Sequence, residues 1–232
     1  MVVSTMNKAS ISRWQKVFTK EKGRIINTDE GFRLKALLCG FLAGDGCLEI
    51  RKEKKSGHIH YDVRFFPDDS IMQKAYCDAI KYVYGKEPKI TKKGSITCVR
   101  VLSKTVVEDL FSYANFGIYK WSIPLKLFSV HGSKESWLRG FFSAEGYVGP
   151  RHIKVQTVNK EGIKGVSALL SELKISHGCY TYTPKKPNHS IVNIIMIHTK
   201  EARNIFYKKI GFDHYKKSCA LKKSLGMEIT KQ

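Results

Sequence analysis

The feature that most constrains this chain is a phrase that occurs twice. Residues 37–50 read LLCGFLAGDGCLEI, and residues 137–150 read WLRGFFSAEGYVGP. The two phrases superpose without a gap, so that Asp45 aligns with Glu145, 100 residues later. Each is an apolar helical pattern that ends in a small residue, one acid and a glycine. A duplication of this size predicts two similar halves related by a pseudo-twofold axis, because a solenoid requires three or more copies.

The segments that follow the first phrase have clear patterns. They predict a hairpin over 47–66, a helix over 70–84, a second hairpin over 88–102 and a helix over 104–114. Both hairpins alternate apolar and polar residues, which is typical of a sheet with one buried and one solvated face.

The segments that follow the second phrase repeat this order. They predict a short hairpin with its return strand at 152–158, a helix over 160–173, strands at 179–183 and 191–197, and a helix over 200–210. Each half therefore reads αββαββα, and the predicted fold class is α+β with a pseudo-twofold duplication.

These correspondences divide the chain into four parts. The predicted repeats are 31–121 and 122–213, flanked by a basic N-terminal extension, 1–30, and a basic C-terminal tail, 214–232. The tail contains a predicted basic helix over 214–225. Neither flank contains a motif with recognisable chemistry.

The charge of the chain indicates its class of partner. It carries 41 Lys+Arg against 20 Asp+Glu, a formal net charge of +21. Such a chain repels itself unless a polyanion is near, so nucleic acid is the leading partner, with acidic membranes and ribosomes as alternatives. No apolar run approaches the length of about 18 residues that a membrane span needs.

Two further features concern the cellular location of the protein and the state of its cysteines. The N-terminus lacks the pattern of a signal peptide, so an intracellular location is expected, in a prokaryotic cytoplasm or nucleoid or in an organelle. None of the six cysteines forms a CxxC pair, which favours buried, reduced thiols over a zinc site or a disulfide framework.

The small residues of the two phrases recur at a spacing of four. Gly40 and Gly44 correspond to Gly140 and Ala144. This spacing lets two helix backbones approach closely. For the glycines that follow the acids, at 46 and 146, the simple interpretation is a left-handed cap after the last helical turn.

The two acids are less easily explained by packing. The C-terminus of a helix carries partial negative charge, so a carboxylate there is mildly unfavourable. If the small-residue faces pack together, Asp45 and Glu145 become neighbours, and each raises the pKa of the other unless a cation lies between them. The cation that suits such a pair is hard and binds oxygen, as Mg²⁺ does.

Taken together, these residues resemble a known family. FLAGDG and FFSAEG, with the flanking phrases SIPLKLF and SKESWLRG, resemble the two signature motifs of a single-chain LAGLIDADG homing endonuclease over about residues 31–212. The resemblance implies that the motif helices pack at the centre and that two antiparallel, saddle-shaped sheets form a DNA-binding groove. It also implies a monomer that makes a double-strand break with 3′ overhangs at a long, asymmetric site, as in intron homing, although a free-standing gene remains possible.

The resemblance assigns the metal ligands. Asp45 and Glu145 match the catalytic metal-binding acids, and the backbone carbonyls of Gly44 and Ala144 are additional ligands. The expected cofactor is Mg²⁺, with Mn²⁺ as a substitute and Ca²⁺ binding without supporting cleavage. Because Glu145 is one methylene longer than the usual Asp, the two strands are expected to be cut at unequal rates.

The resemblance also implies a basic or polar residue near each metal. Lys104 and Lys200 occupy matching positions at the starts of predicted helices and are the candidates for catalytic bases; ordinary helix surface residues are the alternative. Asp68 and Asn159 are weaker candidates for the polar partner.

The polar faces of the hairpins predict the DNA contacts, with mixed side chains reading bases and basic turns touching phosphates. In the first half the predicted contacts are Glu49, Arg51, Lys52, Lys54, Lys55, His58, His60, Asp62, Arg64, Lys92, Lys93 and Arg100. In the second half they are Arg151, His152, Lys154, Gln156, Lys185 and Lys186.

Two alternatives share this charge pattern. An RNA maturase or a non-cleaving nucleic-acid-binding protein would keep the saddle without the chemistry, and in a ribosome-associated protein the repeat would be only structural. Retention of both acids disfavours the first alternative. Replacing Asp45 with Asn abolishes cleavage if the chain is an endonuclease, and is harmless or stabilising if the repeat is structural.

Overall fold

The first αββαββα unit is present in the computed structural model, which describes residues 25–184 and 190–228. Its helices and strands are α1 (Asp29–Asp45), β1 (Gly46–Lys52), β2 (Ile59–Phe65), α2 (Ser70–Tyr84), β3 (Lys89–Lys93), β4 (Ile96–Leu102) and α3 (Lys104–Phe111).

The second unit follows a 3₁₀ helix at Leu125–Ser129. Its elements are α4 (Ser133–Glu145), β5 (Tyr147–Val148), β6 (Ile153–Thr157), α5 (Lys160–Glu172), β7 (Gly178–Tyr182), β8 (Val192–Ile197) and α6 (Lys200–Lys209). A further helix, α7 (Tyr215–Leu225), ends the described part of the chain. The predicted α+β class and duplication are therefore confirmed.

Local capping sets several helix boundaries. The Thr28 hydroxyl accepts a hydrogen bond from the Gly31 amide at 3.2 Å, and Asp29 and Glu30 in the first turn favour the positive end of α1. Helix α2 begins after the capping side chain of Asp69 and ends at Gly85, which has φ 60°.

Each unit contributes one antiparallel four-stranded sheet. The strand orders are β1-β2-β4-β3 and β5-β6-β8-β7, so the two sheets have the same topology. In the first sheet Val63 lies opposite Val101, and in the second Ile153 lies opposite Ile197; all four are buried. Because directly opposed residues share a face, the alternate residues of each strand lie on the other, open face.

The two motif helices, α1 and α4, cross at their glycines. A Cβ on Gly40 would lie 2.2 Å from the carbonyl oxygen of Trp137, and a Cβ on Gly140 would lie 2.4 Å from that of Leu37. Each glycine is thus held against the backbone of the other helix. The close helix packing predicted from the small-residue spacing is confirmed.

The glycines that follow the acids have a different role from the one expected. Gly46 and Gly146 have φ of −117° and −73°, so neither is a left-handed cap. An added Cβ would lie 2.4 Å from the Cα of Leu42 and 2.4 Å from the carbonyl oxygen of Phe142, respectively. The prediction of left-handed caps was wrong because the chain turns directly from helix into strand, and this turn requires a residue without a side chain.

The cysteine prediction holds only in part. All six thiols are free, but Cys39 alone is buried and Cys179 is exposed. Cys179 lies on an edge strand, where alternation by itself does not indicate burial.

Within the described residues, no helix is long and apolar enough to cross a membrane.

Candidate metal centre and nucleic-acid interface

The two acids of the repeated phrases lie together. Asp45 and Glu145 are the last residues of α1 and α4, and both are half-buried. A Cβ on Gly44 would lie 2.5 Å from the Ala144 Cβ and 3.0 Å from the Glu145 Cγ, which shows how closely the helix ends approach. The glycine crossing therefore places both carboxylates at one point between the sheets.

This position raises the pKa of both carboxyl groups. For Asp45 the main cause is burial, to which the charge of Asp68 adds. For Glu145 the main cause is again burial, and the next is the charge of Asp45. Repulsion between the two carboxylates is the electrostatic condition that a bound cation relieves.

A lysine outside the two predicted repeats is hydrogen-bonded to the helix end at this centre. Lys217, on α7, donates hydrogen bonds from Nζ to the carbonyl oxygens of Ser143 at 2.6 Å and Ala144 at 2.7 Å. Its charge opposes the rise in the pKa of both Asp45 and Glu145. Burial lowers the pKa of Lys217, and the surrounding carboxylates partly offset that effect.

Helix α7 is anchored to both halves of the molecule. The Asp213 amide donates to the Ser143 hydroxyl at 2.8 Å in the second half. The His214 ring lies 3.3 Å from Asp68 and 3.5 Å from Asp69 in the first half, and the Tyr215 amide donates to Asp69. The tail was expected to carry no recognisable chemistry, and this was wrong. Only its basic helix was visible in the sequence, whereas its docking depends on contacts with residues 70 or more positions away.

A cleft opens beside the carboxylates. It has a volume of about 470 Å³ and is lined by Gly44, Gly46, Trp121, Glu145, Gln156 and Thr157, among others. Glu145 is thus accessible from the side of β6. Lys217 contacts the helix end that carries Glu145.

The donor set at this centre fits a hard divalent cation. Among the described residues, no group of three His, Cys, Asp or Glu side chains is placed to hold a metal ion. The available ligands are two carboxylates and the helix-end carbonyls, all of them oxygens, and a cation held this way keeps water or phosphate oxygens in its remaining positions. Mg²⁺ binds in this manner, and a structural zinc site does not.

The predicted basic residues do not contact the acids directly within the described residues. Lys104 Nζ is 3.7 Å from Glu108 and 5.8 Å from the centre of the Tyr61 ring, and Lys200 is exposed in the first turn of α6. In the described parts of the chain neither lysine makes a hydrogen bond or ion pair with Asp45 or Glu145. Their proposed catalytic role remains a prediction.

The two weaker polar candidates differ from each other. Asp68 is exposed, and its charge raises the pKa of Asp45, so it borders the centre. Asn159 is buried and caps α5, accepting from the Gly162 amide and donating to the Trp121 carbonyl. The side chain of Asn159 therefore stabilises the fold through these two hydrogen bonds.

The open face of the first sheet carries an ion-pair network. Asp62, only 6% exposed, accepts hydrogen bonds from Arg100 Nε at 2.8 Å and Nη2 at 2.7 Å. Arg64 lies 3.4 Å from Asp62 and donates to Glu49 at 2.7 Å. These pairs fix the positions of the guanidinium groups without using all five N–H donors of either arginine.

The other predicted contacts of this half surround the network. His60 is half-buried on β2, and the rest are exposed: Arg51, Lys52, Lys54, Lys55, His58, Lys92 and Lys93. By the register of β3 and β4, Lys93 shares the open face with Ile96, whereas Lys92 lies on the opposite face with Thr97.

The second sheet carries fewer charges. Lys154 and Gln156 lie on its open face, His152 is half-buried beside them, and Arg151 is exposed in the preceding turn. The predicted contacts Lys185 and Lys186 fall outside the described residues.

Comparisons with known proteins are consistent with this geometry. Residues 133–211 match the family model for a LAGLIDADG-like domain. A structure of mesophilic variants of the homing endonuclease I-DmoI aligns with a TM-score of 0.62 at 16% identity, covering 77% of this chain and 96% of that one. Structures of I-DmoI in complex with DNA and Ca, and with DNA and Mn, align equally well, at 18% and 17% identity.

Two other proteins are similar over a longer part of the chain. Full-length DUF199/WhiA from Thermatoga maritima aligns with a TM-score of 0.54 at 15% identity, over 89% of this chain and 64% of that one. A DNA polymerase of Thermococcus kodakarensis is 27% identical over 215 residues, which are 86% of this chain and 12% of the polymerase. The chain thus spans about an eighth of the length of that relative.

Proposed function

We propose, on the premise that the chain carries a LAGLIDADG-like domain on the fold of a single-chain homing endonuclease, that it is a site-specific DNA endonuclease. It cuts both strands of a long, asymmetric duplex site by metal-dependent hydrolysis of phosphodiesters, leaving 3′ overhangs. It acts as a monomer, because one chain supplies both halves of the centre.

One observation carries this proposal. The carboxylates of Asp45 and Glu145, contributed by two duplicated halves, meet at the crossing of α1 and α4, and their pKa values are raised there. Burial of two like charges at helix C-termini is unfavourable for folding. A cation-dependent function gives a reason for keeping them.

The metal is bound by these carboxylates with help from the helix-end carbonyls, and Mg²⁺ is the expected ion. When bound, such an ion lowers the pKa of an attacking water and stabilises the charge of the transition state. The chain's own contribution is to hold both carboxylates in place, and the charge of Lys217 opposes the rise in their pKa. I-DmoI has been crystallised with DNA and Ca, Mn or Mg, which supports a divalent ion here.

The open faces of the two sheets bind the duplex on either side of this centre. The ionic network of Glu49, Asp62, Arg64 and Arg100 suits base edges, and the exposed lysines at 52, 54 and 55 suit phosphates.

The test uses a randomised duplex library. Purified protein is expected to cut a subset of sequences in Mg²⁺ or Mn²⁺ and none in EDTA, and sequencing of the ends gives the overhang. Asp45→Asn and Glu145→Gln are each expected to reduce cleavage by at least about 100-fold while duplex binding is retained. Cleavage that survives both substitutions contradicts the proposal.

A second candidate is a nucleic-acid-binding protein that does not cleave. The position of Lys217 favours it, because this ammonium group already donates to the Ala144 carbonyl and offsets part of the charge of the two carboxylates. If Lys217 permanently replaces the metal, the chain binds its specific duplex without cutting it in any divalent ion. A loss of cutting with normal splicing of a host RNA would identify a maturase.

A further inference from the structure

The open faces of the two sheets differ in chemistry, although their topology is the same. We call the open face of β1–β4, with its Asp62 network, the ionic face. We call the open face of β5–β8, opposite the buried Ile153 and Ile195, the apolar face. The strand register places the following residues on the apolar face: Tyr147, Lys154, Gln156, Tyr180, Tyr182, Val192, Ile194 and Met196.

The apolar face is accessible. Tyr147, Tyr180 and Tyr182 are 56%, 50% and 56% exposed. Ile194 and Met196, which lie between them on β8, are half-buried by their neighbours in the sheet. Large apolar side chains grouped on an uncovered sheet face indicate a contact surface.

A row of rings crosses this face. Tyr147 and His152, His152 and His198, and His198 and Tyr180 have ring centres 5.8, 6.5 and 6.1 Å apart. The Tyr180 hydroxyl lies 3.2 Å from His198 Nε2. These contacts hold the rings in place before any partner binds.

The strands of the apolar face carry no acids, although Glu145 lines the cleft beside Gln156. Residues 146–160 and 176–200 contain no Asp or Glu, but they contain Arg151, Lys154 and further lysines. The ionic face, in contrast, includes Glu49 and Asp62. An apolar surface whose own charged residues are basic suits a polyanion that also presents apolar groups.

Double-stranded DNA presents one such group in its major groove, the C5-methyl of thymine. Cytosine is read through its N4 donor by a carboxylate, and guanine by an arginine or a lysine. The described residues of the apolar face include neither an acid nor an arginine, and the Nζ of its Lys154 lies 5.7 Å from the centre of the Tyr147 ring. They offer aliphatic and aromatic contacts and one amide, Gln156, of the type that reads adenine.

We propose, resting on the proposed function, that the apolar face binds the half of the target that is rich in A·T pairs and recognises it through thymine methyl groups. The ionic face reads the other half through hydrogen bonds and accommodates G·C pairs. The target is therefore asymmetric in composition as well as in sequence.

The first test is selection of bound duplexes from a randomised library with the wild-type chain in Ca²⁺. One half of the selected site is expected to be rich in A·T pairs and the other mixed. Thymines of each half are then replaced by uracil, which lacks only the methyl group. Binding is expected to weaken about three- to fourfold for each buried methyl removed from the A·T-rich half. Removals in the other half are expected to have a smaller effect, because among the described residues the ionic face has two exposed aliphatic side chains, Ile96 and Leu102.

Two matched variants assign the halves to the faces. Ile194→Gln on the apolar face is expected to abolish the sensitivity to uracil and to change base preference in the A·T-rich half alone. Arg51→Gln, on β1 opposite His60, is expected to change preference in the other half alone. A selected site without A·T enrichment, or one equally tight with uracil, overturns the inference and leaves the endonuclease proposal standing. Failure to select any duplex contradicts both.

Discussion

At the scale of single residues, the centre is built from charged groups whose burial is unfavourable for folding when no ligand is bound. Asp45 and Glu145 lose solvation at negatively charged helix ends, and Lys217 loses solvation at the same place. The ammonium offsets part of the cost of the carboxylates. Stability of the metal-free chain and its affinity for metal are therefore opposed.

The first prediction concerns Asp45→Asn in metal-free protein. Folding raises the pKa of the Asp45 carboxyl group. Its contribution to the free energy of unfolding is therefore fully present below the pKa that Asp45 has in the unfolded chain, and it is lost as pH rises through the pKa of Asp45 in the folded state. At neutral pH the ionised group therefore opposes folding. Thermal unfolding in EDTA should show Tm unchanged or higher for the variant at pH 7.5, with the difference shrinking towards pH 4. A lower Tm at pH 7.5 would show that Asp45 is paired favourably in the fold.

The second prediction concerns Lys217→Met. Removing the ammonium frees the Ala144 carbonyl and eliminates repulsion of an incoming cation. Calorimetric titration with Mn²⁺ in the absence of DNA is expected to show about tenfold tighter binding, equivalent to about 1.4 kcal/mol. Lys216→Met, an exposed neighbour on the same helix, is the control and should leave the affinity unchanged. Equal affinities for both variants would mean that the ammonium does not compete with the metal.

At the scale of elements, the distance between the acids depends on the crossing of α1 and α4. The two glycines there allow backbone-to-backbone contact, and no side chain can replace them without moving a helix. Each of these helices leads directly into the first strand of its sheet, β1 or β5.

The third prediction tests that crossing with Gly40→Ala. The added methyl would lie 2.2 Å from a backbone oxygen of α4, so the helices must separate. A destabilisation of about 1–3 kcal/mol is expected, together with weaker metal binding. The control is Gly165→Ala, where the methyl meets only the end of the flexible Ile123 side chain and alanine favours helix. Urea unfolding of both variants provides the comparison, and a neutral Gly40→Ala would mean that the crossing tolerates expansion.

At the scale of the whole molecule, the charge of +21 sets how the chain meets nucleic acid. Most of the described acids lie in ion pairs or in the centre, and 41 Lys+Arg outnumber 20 Asp+Glu, so most exposed basic groups are available to phosphates. Non-specific attraction should therefore be strong and should depend steeply on salt.

The fourth prediction is measured with random-sequence duplex DNA. Affinity is expected to fall by about 1,000-fold or more between 50 and 200 mM salt, as it does for proteins that contact about six or more phosphates. Lys54→Gln at the tip of the first hairpin should reduce the slope of log K against log salt by about one. Lys74→Gln, on a helix and paired with Asp78, should not. A weak salt dependence would indicate that the basic residues do not face DNA.

Much of the fold was predictable because its signals are local. Helix α2 has the predicted limits, 70–84, since Asp69 caps its start and Gly85 its end. The hairpin over 47–66 was found because apolar and polar residues alternate along it. The pairing of Asp45 with Glu145 was predictable because two copies of one motif must meet at a pseudo-twofold axis.

The role of α7 was not predictable, and neither was the difference between the open faces of the two sheets. Lys217 belongs to a basic tail whose sequence indicates a helix and nothing more. The ring row of Tyr147, His152, His198 and Tyr180 joins residues from separate strands, which only the register brings together.

The sequence by itself determined the duplicated α+β architecture, the helix crossing and the pair of acids. Periodicity and small-residue spacing can be read within short segments of the chain, and the duplication is found when two such segments are aligned. Only the tertiary structure decided which cation of the chain reaches those acids and which chemistry each sheet presents. Those features depend on how segments far apart in the chain dock against one another. Such docking is set by packing and register, and no local pattern encodes it.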